Sequence, residues 1–283
     1  MLATDDPFLT RAPATLAAWV ARFEPEALPV LDDTAATIAA MRPFEDDVDA
    51  HTLGDAIAHD PLLTLKLLAH VARLRGDRGT GDPETVTEAL VLLGITPFFR
   101  AFGEPATVQQ RLAGWPQARA GFERVLERSR RAARFALGFA VHRTDPDAAL
   151  VHLATLLHDF AELLLWLEAP ALMLRLHERQ RAEPGLRSAD AQRALLNTTA
   201  AELQHALMVA WRLPRLLVQI DDDTAAVETV QMRMVRLAIR VARHSAHGWH
   251  DPALPDDLRE LGALLQLAEP HVLKLLHEID AEP

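Results

Sequence analysis

The sequence predicts an all-α protein. Apolar residues recur at spacings of three and four along most of the chain, the period of helices that bury one face. Alanine, leucine and arginine dominate, and all three are strong helix formers. Sustained alternation of β-branched residues, the mark of strands, is rare. With 283 residues, 49% of them hydrophobic, the chain can bury a sizeable core.

The elements follow in order. Residues 1–24 form an N-terminal segment with one helix in "ATLAAWVARF". Residues 25–113 make a first helical lobe. In it, "EPEALPVLDDTAATIAAM" reads as a turn and a helix, and "TLGDAIAHDPLLTLKLLAHVARLRG" as two helices. Asp60 caps the second of these, with Pro61 in the first turn, where a missing N–H costs nothing. Gly76 stops it. "VTEALVLLGI" is a short apolar helix ending near Gly94. A soft boundary near Gly114 opens a second lobe, 114–283. Its helices are "FERVLERSRRAARFALGFAVHR", "DPDAALVHLATLLHDFAELLLWL", "APALMLRLHERQR", "ADAQRALLNTTAAELQHALMVAWRL", "ETVQMRMVRLAIRVARHSA" and two short C-terminal ones. The two lobes are expected to pack as one unit. No fixed-period repeat is present.

Composition narrows the function. Lys and Arg total 29 against 40 Asp and Glu, a formal net charge of -11. Nucleic acid and anionic membrane surfaces are therefore not expected partners. Cysteine is absent, which excludes disulfides, Cys-ligated zinc and iron–sulfur clusters and fits a reducing cytoplasm. The start, "MLATDDPFLTR", lacks the basic and apolar regions of a signal peptide. No run of about 20 uncharged apolar residues suggests a membrane span. There is no P-loop, no dinucleotide-binding glycine pattern and no glycine-flanked nucleophilic serine.

The most unusual stretch is "LATLLHDFAELLLW", Leu153 to Trp166. At 100° per residue its polar side chains gather on one stripe: Thr155, His158, Asp159 and Glu162. The rest of the surface is apolar, so the helix should be buried. A buried stripe must then find partners. It is either a satisfied internal network, with His158 bonded locally and Asp159 meeting an arginine, or the wall of a cleft. His and Asp side by side suit a divalent metal, but a working site needs at least a third ligand.

These residues resemble a family. "LATLLHDFAELLLW" looks like the motif helix of HD-superfamily proteins. The order "LPVLDDTAATI", "LGDAIAHDPLLTLKLL", "VTEALVLLGI", motif helix and "LLNTTAAELQHALMVAWRLP" resembles the HD-related output domain, HDOD, from about Leu28 to about Leu258. The last stretch is similar to the family's segment ending Trp-Gly-Leu-Pro. The departures are informative. By this resemblance the first metal-ligand histidine falls at Arg128, and arginine cannot ligate a metal. The lysine that often follows His-Asp is Glu162. A later histidine becomes Ala200, and the late helix "MVRLAIRVAR" holds no carboxylate. Ala72 and Arg73 stand where relatives often carry Asn-Ser.

The resemblance thus implies an all-α regulatory module of bacterial signalling with a degenerate metal site. It implies no catalytic residue, no metal and no cofactor, with His158 and Asp159 a relic pair. The partner is expected to be a signalling protein supplied in trans; homo-oligomerisation is left open. Arg128, Thr155, His158, Asp159 and Glu162 are the candidate lining of a vestigial cleft. Arg124, Arg131 and Arg134 are candidates for docking an acidic partner. The competing readings are a metal-dependent phosphohydrolase acting on a nucleotide or cyclic dinucleotide, and a sensor of a small anionic ligand. His244, His247 and His250 form a weaker zinc candidate, with a frayed polar helix end as the plainer reading. His59-Asp60 is explained by capping. Asp221, Asp222 and Asp223 read as a loop or cap cluster.

Overall fold

A computed structural model describes residues 8–76, 83–183, 185–220 and 228–281. Among these the secondary structure is helical, apart from a single parallel bridge between Val30 and Thr107. The Asp221–Asp223 cluster lies outside the described residues. The chain forms two compact units, each built from two separate segments. Unit 1 takes Met1–Val125 and Asp159–Pro214; unit 2 takes Leu126–His158 and Arg215–Pro283. Gly114 lies within unit 1.

Unit 1 begins with α1 (Leu16–Val20), α2 (Asp32–Met41), α3 (Ala50–Ile57), α4 (Pro61–Arg75), α5 (Val86–Leu93), α6 (Ile95–Phe102) and α7 (Val108–Arg111). Local chemistry sets the starts of most of these helices. The side chains of Thr15, Asp49, Asp60, Thr85 and Thr107 each accept a backbone N–H of the helix they precede. Gly76 and Gly94 end α4 and α5 with positive φ, 57° and 87°, which glycine adopts without a Cβ penalty. The short helix α6 exposes little of its aromatic face: Phe98, Phe99 and Phe102 are all buried.

Asp60 does more than cap. It is almost fully buried, and its carboxylate accepts from Leu62 N (2.8 Å), Leu63 N (3.0 Å) and Leu31 N (2.8 Å). Lys66, six residues further on, donates to the Leu28 carbonyl at 2.8 Å. Together they fasten the segment "LPVL" onto α4. Burial pushes the Asp60 carboxyl up and the Lys66 ammonium down, because both lose water around the charged form.

The helix α8 (Pro116–His142) runs 27 residues and supplies both units. The second segment of unit 1 holds α10 (Phe160–Glu168), α11 (Pro170–Ala182), α12 (Ser188–Leu196) and α13 (Ala200–Ala210), after α9 (Ala148–Leu156) of unit 2. In unit 1, α10 packs on α11 and α13, and α1 packs on α13. Trp19 of α1 is fully buried and donates its indole N–H to Leu196 O at 2.7 Å. Unit 2 is completed by α14 (Arg215–Ile220), α15 (Val230–His244), α16 (Leu254–Leu265) and α17 (Glu269–Ala281), with α15 against α9 and α16. Phe135, Phe139, Leu156, Met234, Leu261 and Leu276 lie in its core with no exposed surface.

Two expected helices are each divided. Asn197, in the left-handed region with φ 59°, ends α12, and Thr199 starts α13 with a reciprocal Thr199–Glu202 capping box. The other break falls on the His-Asp motif. Residues Ala148–Glu168 are apolar enough to cross a membrane by composition alone, with mean hydropathy 1.5, but 67% of that window is buried in the protein. This is interior helix.

Candidate functional site

The stretch 148–168 is not one continuous helix. α9 ends at Leu156. Leu157 still bonds back to Leu153 O (3.0 Å), and His158 N then makes a tighter turn onto Thr155 O (3.3 Å). Asp159, with φ −106° and ψ 20°, lies outside helical geometry, and its carbonyl accepts from Glu162 N (3.0 Å) and Leu163 N (3.3 Å) to restart α10. A polar stripe drawn on a single cylinder therefore loses its register at its central pair.

The five cleft candidates divide between the units. Arg128, Thr155 and His158 belong to unit 2, Asp159 and Glu162 to unit 1. Thr155 is fully buried and bonds its hydroxyl back to Val151 O at 2.7 Å, so its own helix satisfies it. Arg128, His158, Asp159 and Glu162 are half-buried, and none of them is without an interaction partner. Among the described residues, no three His, Asp or Glu side chains are grouped to hold a metal.

Around α10 the structure adds residues that sequence patterns did not single out. Gln204 of α13, 4% exposed, accepts from Ala161 N in the first turn of α10 at 3.4 Å. Phe160 stacks on Trp211, ring centres 5.9 Å apart. Trp211 opens the Trp-Arg-Leu-Pro stretch, and Arg212 there holds φ 53°, a conformation that favours the glycine of the resembling motif. At the far end of α10, Glu168 accepts from Arg22 and Arg111. Its carboxyl is nevertheless raised, because burial outweighs the two guanidinium groups. Ala200 has its backbone N–H taken by Gln192 Oε1 at 2.9 Å and has no side chain to offer a metal.

Unit 2 contains two polar assemblies. Asp257 is fully buried, with His244 Nδ1 at 2.6 Å on one oxygen and Arg240 at 2.5 Å on the other. Arg240 also grips Glu260 with both terminal nitrogens, at 2.9 and 3.2 Å. His244 thus has a carboxylate partner on α16, while His247 and His250 are exposed and lie beyond the end of α15. The second assembly holds Arg131. Its guanidinium makes a two-pronged pair with Asp280 (2.7 and 2.9 Å), donates to Ala242 O (3.3 Å) and lies over the rings of Phe135 and Trp249. The pair holds the Asp280 carboxyl below its usual range. Arg131 is therefore committed inside unit 2. Arg134 is half-buried, and Arg124 is exposed in unit 1.

The HDOD domain pattern matches residues 28–223, more than half of the chain. The chain belongs to the HDOD family. The match stops short of the expected Leu258, so α15, α16 and α17 lie beyond it. The fold is similar to that of the MmoQ response regulator from Methylococcus capsulatus. That likeness has TM-score 0.67 and 22% identity and covers 89% of this chain and 98% of that one. It is also similar to a virulence factor from Campylobacter jejuni, with TM-score 0.60 and 17% identity, covering 90% and 95%. At these identities the likeness concerns the fold. The chain matches none of the curated proteins compared.

Proposed function

We propose that the protein is a non-catalytic regulator or scaffold of bacterial signal transduction that works through protein contacts in the cytoplasm. The observation that carries this reading is the loss of the ligand set around a retained His-Asp pair. Arg128 and Ala200 occupy positions where the resemblance calls for histidine, and α15 contains no carboxylate. Two ligands leave a divalent ion largely to water. The response-regulator neighbour supports a signalling setting for this fold.

The test is metal analysis of the purified protein, with hydrolysis assays on nucleotides and cyclic dinucleotides. We expect substoichiometric metal and no turnover that His158→Ala removes. Stoichiometric iron, manganese or zinc, with activity abolished by His158→Ala, would overturn the reading in favour of a phosphohydrolase.

A further inference from the structure

Within unit 1, the segment before α1 lies on the surface as neither helix nor strand. Residues 8–13, "FLTRAP", are each exposed or half-buried. Three of their contacts are made through the main chain. The Leu9 N–H donates to the Glu168 carbonyl (2.8 Å), the Thr10 carbonyl accepts from Arg175 (3.3 Å), and the Pro13 carbonyl accepts from the Asn197 amide (3.1 Å). Glu168 is the last residue of α10, so no N–H of its own helix can reach that carbonyl. The side-chain contact is made by Phe8. Its ring lies 4.6 Å from the Arg111 guanidinium carbon and meets Trp115 edge-on, centres 5.8 Å apart. Arg111 is fixed for that contact: Nε donates to Leu167 O (3.3 Å) and Nη2 to Glu168 Oε2 (3.1 Å), which leaves the guanidinium face to the ring.

We propose that this groove is a peptide-recognition site, filled in cis by residues 8–13 and taken in trans by an extended, aromatic-bearing segment of a partner protein. The inference rests on the reading that the protein acts through protein contacts, and it names the surface. Main-chain bonds combined with a pocket for one side chain are how folded domains read extended peptides. The bonds tolerate many sequences, and the ring sets the register. The geometry therefore specifies the occupant. It needs an aromatic residue where Phe8 lies, against Arg111 and Trp115. The next residue can be anything but proline, because its N–H must reach Glu168 O. Exchange uncovers no core, since no residue of 8–13 is buried. The cis segment is tethered beside the groove, so it competes at a high effective concentration and weakens a partner while it stays in place.

The experiment uses the full chain, its Phe8→Ala variant, and a fluorescein-labelled synthetic peptide "DDPFLTRAP", residues 5–13. Two altered peptides carry Phe8→Ala and Leu9→Pro. With the Phe8→Ala chain, whose own segment has lost its anchor, fluorescence anisotropy should show saturable binding of the parent peptide. Each altered peptide should bind at least tenfold more weakly. The unaltered chain should also bind the parent peptide at least tenfold more weakly, because its own segment competes. Thermal melts should be the same for both chains. No saturation up to about 1 mM, equal affinity for the two chains, or binding that survives either peptide change would overturn the proposal. So would a dimer in sedimentation that Phe8→Ala dissolves, since the segment would then serve a second copy. Metal content and hydrolysis bear on the non-catalytic reading and leave this result untouched, so the two can fail separately.

Discussion

Glu202 anchors the start of α13 through three partners. It accepts from Thr199 N (2.9 Å) and the Thr198 hydroxyl (3.1 Å), and pairs with Arg193 (2.8 Å). The Arg193 bond, followed by the backbone bond, lowers its carboxyl to about 2. A carboxylate whose folded value lies below its unfolded one stabilises the fold fully above the unfolded value, and loses that contribution as pH falls toward the folded one. The window here runs from about 4.5 down to about 2. Its side chain is 45% exposed, so solvent screens much of the interaction. Glu202→Gln should therefore lower stability by about 0.5–1 kcal/mol at pH 7, with the two proteins converging near pH 2. Thermal melts across that range check it; a gap that widens on acidification would contradict it.

Single residues also show what a sequence can and cannot disclose. Asp60 was legible because cap, proline and helix are consecutive. Its bond to Leu31 N was not, because that partner comes from another element 29 residues away. Arg131 was read as a docking arginine because the sequence gives no sign of Asp280, 149 residues on. Thr155 fell on the polar stripe by position, yet its hydroxyl needed no partner beyond its own helix.

At the scale of elements, close helix packing depends on two glycines of α8. In unit 1, a Cβ at Gly121 would run into the ring of Trp166, which is fully buried. Two effects oppose each other in Gly121→Ala. Helix propensity favours alanine by about 1 kcal/mol, while overpacking a filled core costs about 1–3 kcal/mol. Because the ring has no exposed side toward which to yield, packing should win, with a net loss of about 1–2 kcal/mol. Denaturant unfolding measures this directly; an unchanged or raised midpoint would show that Trp166 moves freely. Helix type and capping were readable from the sequence. The break between α9 and α10 was not, since a continuous apolar pattern carries no local signal for a turn at Leu157–Asp159.

For the whole molecule, the all-α class and the HDOD family were both legible, because periodicity and motif order extend along most of the chain. The division into interleaved units was not, because it depends on contacts between segments far apart in sequence. Those contacts lead to a further expectation. Residues beyond the family match supply much of unit 2, including Met234, Val235, Leu237, Val241, Leu261 and Leu276, all buried. A chain ended after residue 227 should leave the apolar faces of α9 and the second half of α8 uncovered. It should bind a hydrophobic dye and lose more helicity than the removed residues account for, by circular dichroism. A cooperative melt at the full-length midpoint would argue that unit 2 stands without α15–α17.

The interleaving also sets an order of events during synthesis. All of unit 1 has left the ribosome once Pro214 emerges, whereas unit 2 is interrupted by residues 159–214 and lacks Asp280 until almost the last described residue. Closing a contact across 149 residues carries a large loop entropy and a slow search. The nascent chain should therefore fold in two stages, unit 1 first. Throughout the interval, α9 and half of α8 wait with their apolar faces unprotected, a stage at which chaperones would have something to hold.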